Sequence, residues 1–206
     1  QEACDFFQRV LEKLIHFSTE HHSVLKTIPF IKNIKTTDSS TINLNKHLAP
    51  LFPGLRNHGA TVKLQAVMNT VTHQMSSLEI RPARESDQSY RAYLNHIEKG
   101  ELSINDLGYF CIDSFKEIEK KEALFLSRYL KGTNIYHADS QEQGAIDLPA
   151  LLEKTKSHRI ELNVLLSQSK FKCRLVALRL PPQAYKKRLK NLQEKQRKNG
   201  HSINKS

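Results

Sequence analysis

The chain has 206 residues, with 32 Lys and Arg against 21 Asp and Glu, a formal charge of +11 and 38% hydrophobic residues. That length fits one domain, or one with an appendage, and suffices to bury a core, while no apolar run approaches the ~20 residues of a membrane span. Cys4, Cys111 and Cys173 are odd in number and far apart, which argues against a disulfide framework and a zinc site, and the acidic start QEACDFFQRVLEKL is no signal peptide, so a reducing cytoplasm is the expected setting.

In chain order, Phe6, Val10, Leu11, Leu14 and Phe17 recur every three or four residues and predict an amphipathic helix over 3–19. Residues 31–37 read as a short strand ending at Asp38. Pro53-Gly54 marks a turn within a loop over 50–59. The β-branched run 60–72 and the segment 76–83, stopped by Pro82, predict a hairpin across His73-Gln74. Ser86 or Asp87 then caps a helix carrying Tyr90, Tyr93, Leu94 and Ile97, which Gly100 ends. A short strand follows over 102–106, then a helix marked by Ile112, Phe115 and Ile118, then an apolar strand over 123–130. Beyond it NIYHA, RIELNVLLS and CRLVALRL read as strands, with a short helix over 149–155 between the first two. Residues 183–198 form a basic helix after Pro181-Pro182. This order predicts an α/β layer structure with a mixed sheet, followed by a β-rich segment.

Charge is unevenly placed. Residues 1–152 hold 17 Lys/Arg and 18 Asp/Glu, whereas residues 153–206 hold 15 and 3. The densest part is Lys186, Lys187, Arg188 and Lys190, followed by Lys195, Arg197 and Lys198. Such a stripe suits phosphate neutralisation; a solvated charged helix is the plain alternative.

Two acids stand out. Asp38 follows a strand in TTDSST, and Asp106 ends one in INDLGYF. If the two strands are neighbours, both carboxylates lie side by side at strand ends, a hard-oxygen pair suited to Mg²⁺ or Mn²⁺. An Asx turn at Asp38 and a turn residue at Asp106 remain the ordinary alternatives. Lys63 and Arg128 are candidates to reach phosphates, or else surface cations. Asp113, Glu117 and Glu119 read as a solvated helix face, and the ten histidines form no HxxxH pair. There is no GxGxxG, Walker loop or GxSxG elbow.

The segment DLGYF-x4-F-x2-I-x5-LFLSRYLKGTNIY resembles the core of bacterial insertion-sequence transposases of the DDE type, which carry DxGYF, a helix and then yFlsR. TTDSSTINLNKHLAPLFPG resembles their first-Asp strand, ATVKLQAVMNTVTHQMSSLEIRPARESD the following hairpin, and VALRLPPQAYKKRLKNLQEKQRKNG the basic segment ahead of the last catalytic helix. The likeness runs from about Ile31 to Gly200.

The resemblance implies a ribonuclease-H-like core with a β-rich insertion after its fifth strand. It places the family's first and second catalytic acids on Asp38 and Asp106, as ligands of Mg²⁺ or Mn²⁺. Lys63, Asp87, Tyr109 and Arg128 fall on recurring family positions with supporting roles. DNA contact would involve Lys63, Arg128, Lys186, Lys187, Arg188 and Lys190. The implied partner is double-stranded DNA, as element ends and target, handled by a homodimer of the full-length protein, away from membranes and at the bacterial nucleoid. The implied organisation is an N-terminal helical segment (1–30), the catalytic core (31–131), the insertion (132–182) and a basic helix with polar tail (183–206).

The family's third acid, a Glu in a Tyr-x2-Arg-x3-Glu-x6-Lys context, has no counterpart here, and Glu194 in LQEKQRKNG sits in the earlier basic segment. Together with the missing initiator Met, this leads to the expectation of a fragment, inactive alone. Alternatives are a non-enzymatic nucleic-acid-binding remnant, another ribonuclease-H-like nuclease, or an inert remnant.

Overall fold

The computed structural model describes residues 5–6, 8–10, 13, 28–55, 59–138, 144–155 and 157–199. Of the amphipathic helix expected over 3–19, residues 5–6, 8–10 and 13 are helical and the remainder lies outside the described residues. The chain divides into two compact units, residues 1–131 and 132–206.

The first unit is built on a five-stranded mixed sheet. Its strands are β1 (Ile34–Leu44), β2 (Ala60–Asn69), β3 (Gln74–Pro82), β4 (Leu102–Asn105) and β5 (Leu124–Leu126). Their spatial order is β3-β2-β1-β4-β5. The first three pair antiparallel, and β4 runs parallel to β1 and to β5. The hairpin between β2 and β3 forms where the β-branched runs predict it, and His73 takes a left-handed backbone (φ 57°) at its turn. Asn69 closes that turn, its side-chain oxygen accepting from the amides of Val71 and Thr72.

Three sequence expectations need correction. The first strand does not stop at Asp38. It runs to Leu44, because β2 offers an antiparallel ladder as far as Leu44↔Ala60, and backbone pairing holds this polar stretch extended where hydrophobic pattern does not. The helix expected from Asp87 to Gly100 is two 3₁₀ segments, Asp87–Ser89 and Ala92–His96. Tyr90 between them is extended and buried, with its hydroxyl donating to Glu79 Oε1 at 3.0 Å. The Lys121 ammonium then ends the second segment by donating to the carbonyls of Leu94 (2.6 Å) and Ile97 (3.2 Å). Tertiary contacts thus override an α-helical spacing. The strand expected over 123–130 shortens to β5, which pairs with β4 only from Leu102↔Leu124 to Ile104↔Leu126.

Helix α1 (Ile112–Lys120) turns Ser114, Phe115 and Ile118 inward, at the three- and four-residue spacing of one helix face. Phe115 stacks on Phe125 of β5 with ring centroids 4.3 Å apart. Val67, Tyr90, Tyr93, Leu94, Ile97, Tyr109, Ile118 and Ala123 form the core cluster, and burying each large apolar side chain contributes roughly 1.5–3 kcal/mol. On β2, however, the buried face alternates Thr61, Lys63, Gln65, Val67 and Asn69, so four of its five residues are polar.

The second unit holds an antiparallel sheet of β6 (Ile135–His137), β7 (Arg159–Leu166) and β8 (Phe171–Leu178), in the order β6-β7-β8. Helix α2 (Leu148–Lys154) lies between β6 and β7 in sequence, its first turn capped by Asp147, whose carboxylate accepts from the Ala150 amide at 3.1 Å. Ile135, Val164, Leu166 and Phe171 are its buried apolar residues. Helix α3 (Pro182–Asn199) follows β8. None of the described helices is long and apolar enough to cross a membrane.

Candidate functional site

The parallel pairing of β1 with β4 ends at Thr37↔Asn105. Asp38 and Asp106 are the next residues on each side. Asp38 remains in the ladder to β2, opposite Ala66, while Asp106 leaves the sheet and starts the 3₁₀ turn Leu107–Tyr109. The two acids therefore sit where neighbouring parallel strands part at the carboxyl end of β4, a position at which open α/β sheets leave a crevice. Both are exposed.

Asp106 is held ionised. The Leu107 amide first, then the Arg128 guanidinium and the Gly108 amide, keep its carboxyl below the usual carboxylate range. Arg128 Nη2 lies 2.5 Å from Asp106 Oδ1, and both side chains are well exposed (68% and 60%). Next to Asp38, the Ser39 amide donates to Asp38 Oδ1 at 2.8 Å.

Next to this pair lies a partly buried polar cluster centred on Asp87. Its Oδ1 accepts from Ser39 Oγ (3.0 Å), Lys63 Nζ (2.9 Å) and Gln65 Nε2 (3.1 Å). Lys63 Nζ also donates to the Glu85 carbonyl at 2.6 Å. Gln65 Oε1 in turn accepts the Tyr109 hydroxyl at 2.5 Å. Desolvation works against the charged Asp87 carboxylate, but Lys63, Ser39 and Gln65 outweigh it and hold the group below its ordinary value. Burial pushes the Tyr109 phenol upward, so it stays a protonated donor.

Lys63, a candidate for phosphate contact, lies in this cluster. Its side chain is only 9% exposed, and its ammonium is taken up by Asp87 and the Glu85 carbonyl rather than offered to solvent. Arg128 lies at the acid pair, engaged by Asp106. Lys186, Lys187, Arg188 and Lys190 lie on α3, exposed, in the second unit. Ser39 and Gln65 were not singled out by sequence reasoning. The one signal, for Gln65, was a polar residue alternating onto the buried face of a β-branched strand.

Among the described residues, no three His, Cys, Asp or Glu side chains come together to hold a metal. Asp38 and Asp106 are exposed carboxylates, the donor type that suits a hard divalent cation. Both supply carboxylate oxygens toward solvent, and Mg²⁺ commonly takes one or two carboxylates and keeps several waters.

Residues 32–199 match the family model described as a transposase DDE domain. Among similar proteins, the transposase for insertion sequence element IS231B of Bacillus thuringiensis subsp. berliner is 25% identical over 51% of this chain and 23% of its own length. The IS231F transposase of Bacillus thuringiensis subsp. israelensis is 24% identical over 65% of this chain and 28% of its own. The IS1151 transposase of Clostridium perfringens is 24% identical over 79% of this chain and 38% of its own. The chain thus spans 23–38% of the length of these relatives.

Proposed function

The chain belongs to the transposase DDE domain family, and from that membership we propose that it carries the catalytic core of a DNA transposase that moves an insertion sequence by phosphoryl transfer. The observation that supports the proposal is the register that puts Asp38 and Asp106 each one residue past Thr37↔Asn105 on neighbouring strands. The strand order β3-β2-β1-β4-β5 supports a ribonuclease-H-like core for residues 31–131, with the second sheet as an insertion over 132–182 and a basic helix beyond it.

Asp38 and Asp106 would hold the Mg²⁺ or Mn²⁺. When bound, that ion supplies Lewis-acid stabilisation of phosphoryl oxygens and a more acidic water. The proposed reaction has two displacements at phosphorus. Water cleaves the phosphodiester at the element end and leaves a 3′-hydroxyl, which then attacks a target phosphodiester and expels the target's own 3′-oxygen. Arg128 orients the Asp106 carboxylate and, with its remaining N–H groups, offers charge-assisted bonds to a neighbouring phosphate. Lys63 acts one step back, by holding Asp87. The partner is duplex DNA, and a homodimer acting on paired ends belongs to the same proposal.

The direct test is excision of a marked insertion element in bacteria, comparing the intact gene with a frame-shifted copy. Excision that depends on the intact gene supports the function, and equal excision in both overturns it.

A second experiment tests the DNA partner through α3. Binding of the chain to duplex DNA should weaken steeply as salt rises. Changing Lys186, Lys187, Arg188 and Lys190 to Gln should flatten the log–log slope by about 3–4, since each neutralised phosphate contributes roughly 0.9. An unchanged slope would remove α3 from the DNA contact.

A further inference from the structure

We propose that Asp87 is a positioning residue that ties the strand carrying Asp38 to the turn carrying Asp106 and so fixes the two acids relative to each other. The proposal rests on reading those acids as the metal-holding pair.

The two oxygens of Asp87 face different elements. Oδ1 accepts the Ser39 hydroxyl, and Ser39 is the residue after Asp38 on β1. Because side chains alternate along a strand, anchoring Ser39 on one face commits Asp38 to the other. Oδ2 faces the turn that begins at Asp106. A Cβ added at Gly108 would lie 3.3 Å from Asp87 Oδ2 and 3.5 Å from its Cβ, so the turn packs close enough to the carboxylate that an alanine there would press on it. A second link closes the arrangement, because Gln65 donates to Asp87 Oδ1 and accepts from Tyr109, the last residue of the same turn.

Lys63 holds the hub. It pairs with the Asp87 carboxylate and also bonds the Glu85 carbonyl, two residues earlier in the chain. With three donors on Oδ1 and a short tether to the backbone, the carboxylate has little freedom to turn. Linked hydrogen bonds of this kind rigidify a polar cluster. Residues that orient metal ligands from behind typically change metal affinity 10- to 100-fold when mutated.

The experiment uses the whole chain, with amide NMR of Ser39 and Gly108 and titration with Mn²⁺ alone. Asp87→Asn should shift both amides and lower Mn²⁺ affinity about 10- to 100-fold, while Asp113→Asn, on the exposed face of α1, should do neither. Gly108→Ala guards against a variant that fails to fold, since it removes no charge and presses on Asp87 from the turn side. It should move the Ser39 amide, which lies on a different element. If the wild-type chain takes up no Mn²⁺ but both amides move, the metal reading falls and the tie stands. If Mn²⁺ binds through Asp38 and Asp106 while Asp87→Asn and Gly108→Ala leave the Ser39 amide and the affinity unchanged, the tie is overturned and the metal reading stands.

Discussion

In the full-length protein, Asp38→Asn or Asp106→Asn is expected to abolish excision of the insertion element, by about 10³-fold or more, equivalent to at least ~4 kcal/mol of barrier. The substitution keeps the size of the side chain and removes its charge. A neutral amide is a poor ligand for a hard divalent ion, so the transition-state charge loses several kcal/mol of stabilisation. Neither change should harm the fold, because both acids are exposed. Asp106→Asn also deprives Arg128 of its partner, but an ion pair this open to water contributes little to stability. Folding is checked by thermal melting, and DNA binding by α3 should persist in both variants. Excision within tenfold of wild type in a folded variant would remove that acid from the site.

Lys63→Met is expected to be the most destabilising change near the site, by about 3 kcal/mol. It leaves the partly buried Asp87 carboxylate without its cation and frees the Glu85 carbonyl. The figure belongs at the low end of the range for broken buried pairs because the Asp87 side chain is 28% exposed. The pH dependence has a definite sign. Asp87 titrates below its ordinary value in the folded chain, so its contribution is complete above about pH 4, the unfolded value, and fades as pH falls towards the folded one. Urea unfolding at pH 7 and below pH 4 measures both effects. Wild type should lose more stability on acidification than Lys63→Met does. Equal loss in the two would show that the pair does not couple to protonation.

Much of the sheet was legible in the sequence because its signals are local. The β-branched run of β2, the stop at Pro82 and the polar turn between them give the hairpin, and the charge density of PQAYKKRLK gives α3. The length of β1 was not legible. Past Thr37 the segment DSSTINL has no hydrophobic alternation, and its ladder to β2 keeps it extended. The 3₁₀ segments after Ser86 were hidden for the opposite reason. Their apolar spacing is helical, but the Tyr90–Glu79 bond and the Lys121 cap come from residues distant in sequence. At the site, the two acids could be picked out from their motifs, and their adjacency follows once β1 and β4 pair. The role of Lys63 could not be read, since a lysine in a strand looks the same whether it faces phosphate or a carboxylate 24 residues further along the chain.

The most direct test of the acid pair is titration of the 206-residue chain with Mn²⁺, followed by electron paramagnetic resonance of the free ion, for wild type, Asp38→Asn, Asp106→Asn and the double variant. One weakly bound ion per chain in wild type, weakened by either substitution and absent in the double variant, is the expected result. Undiminished Mn²⁺ binding in the folded double variant would contradict the assignment of Asp38 and Asp106 as the metal-holding pair.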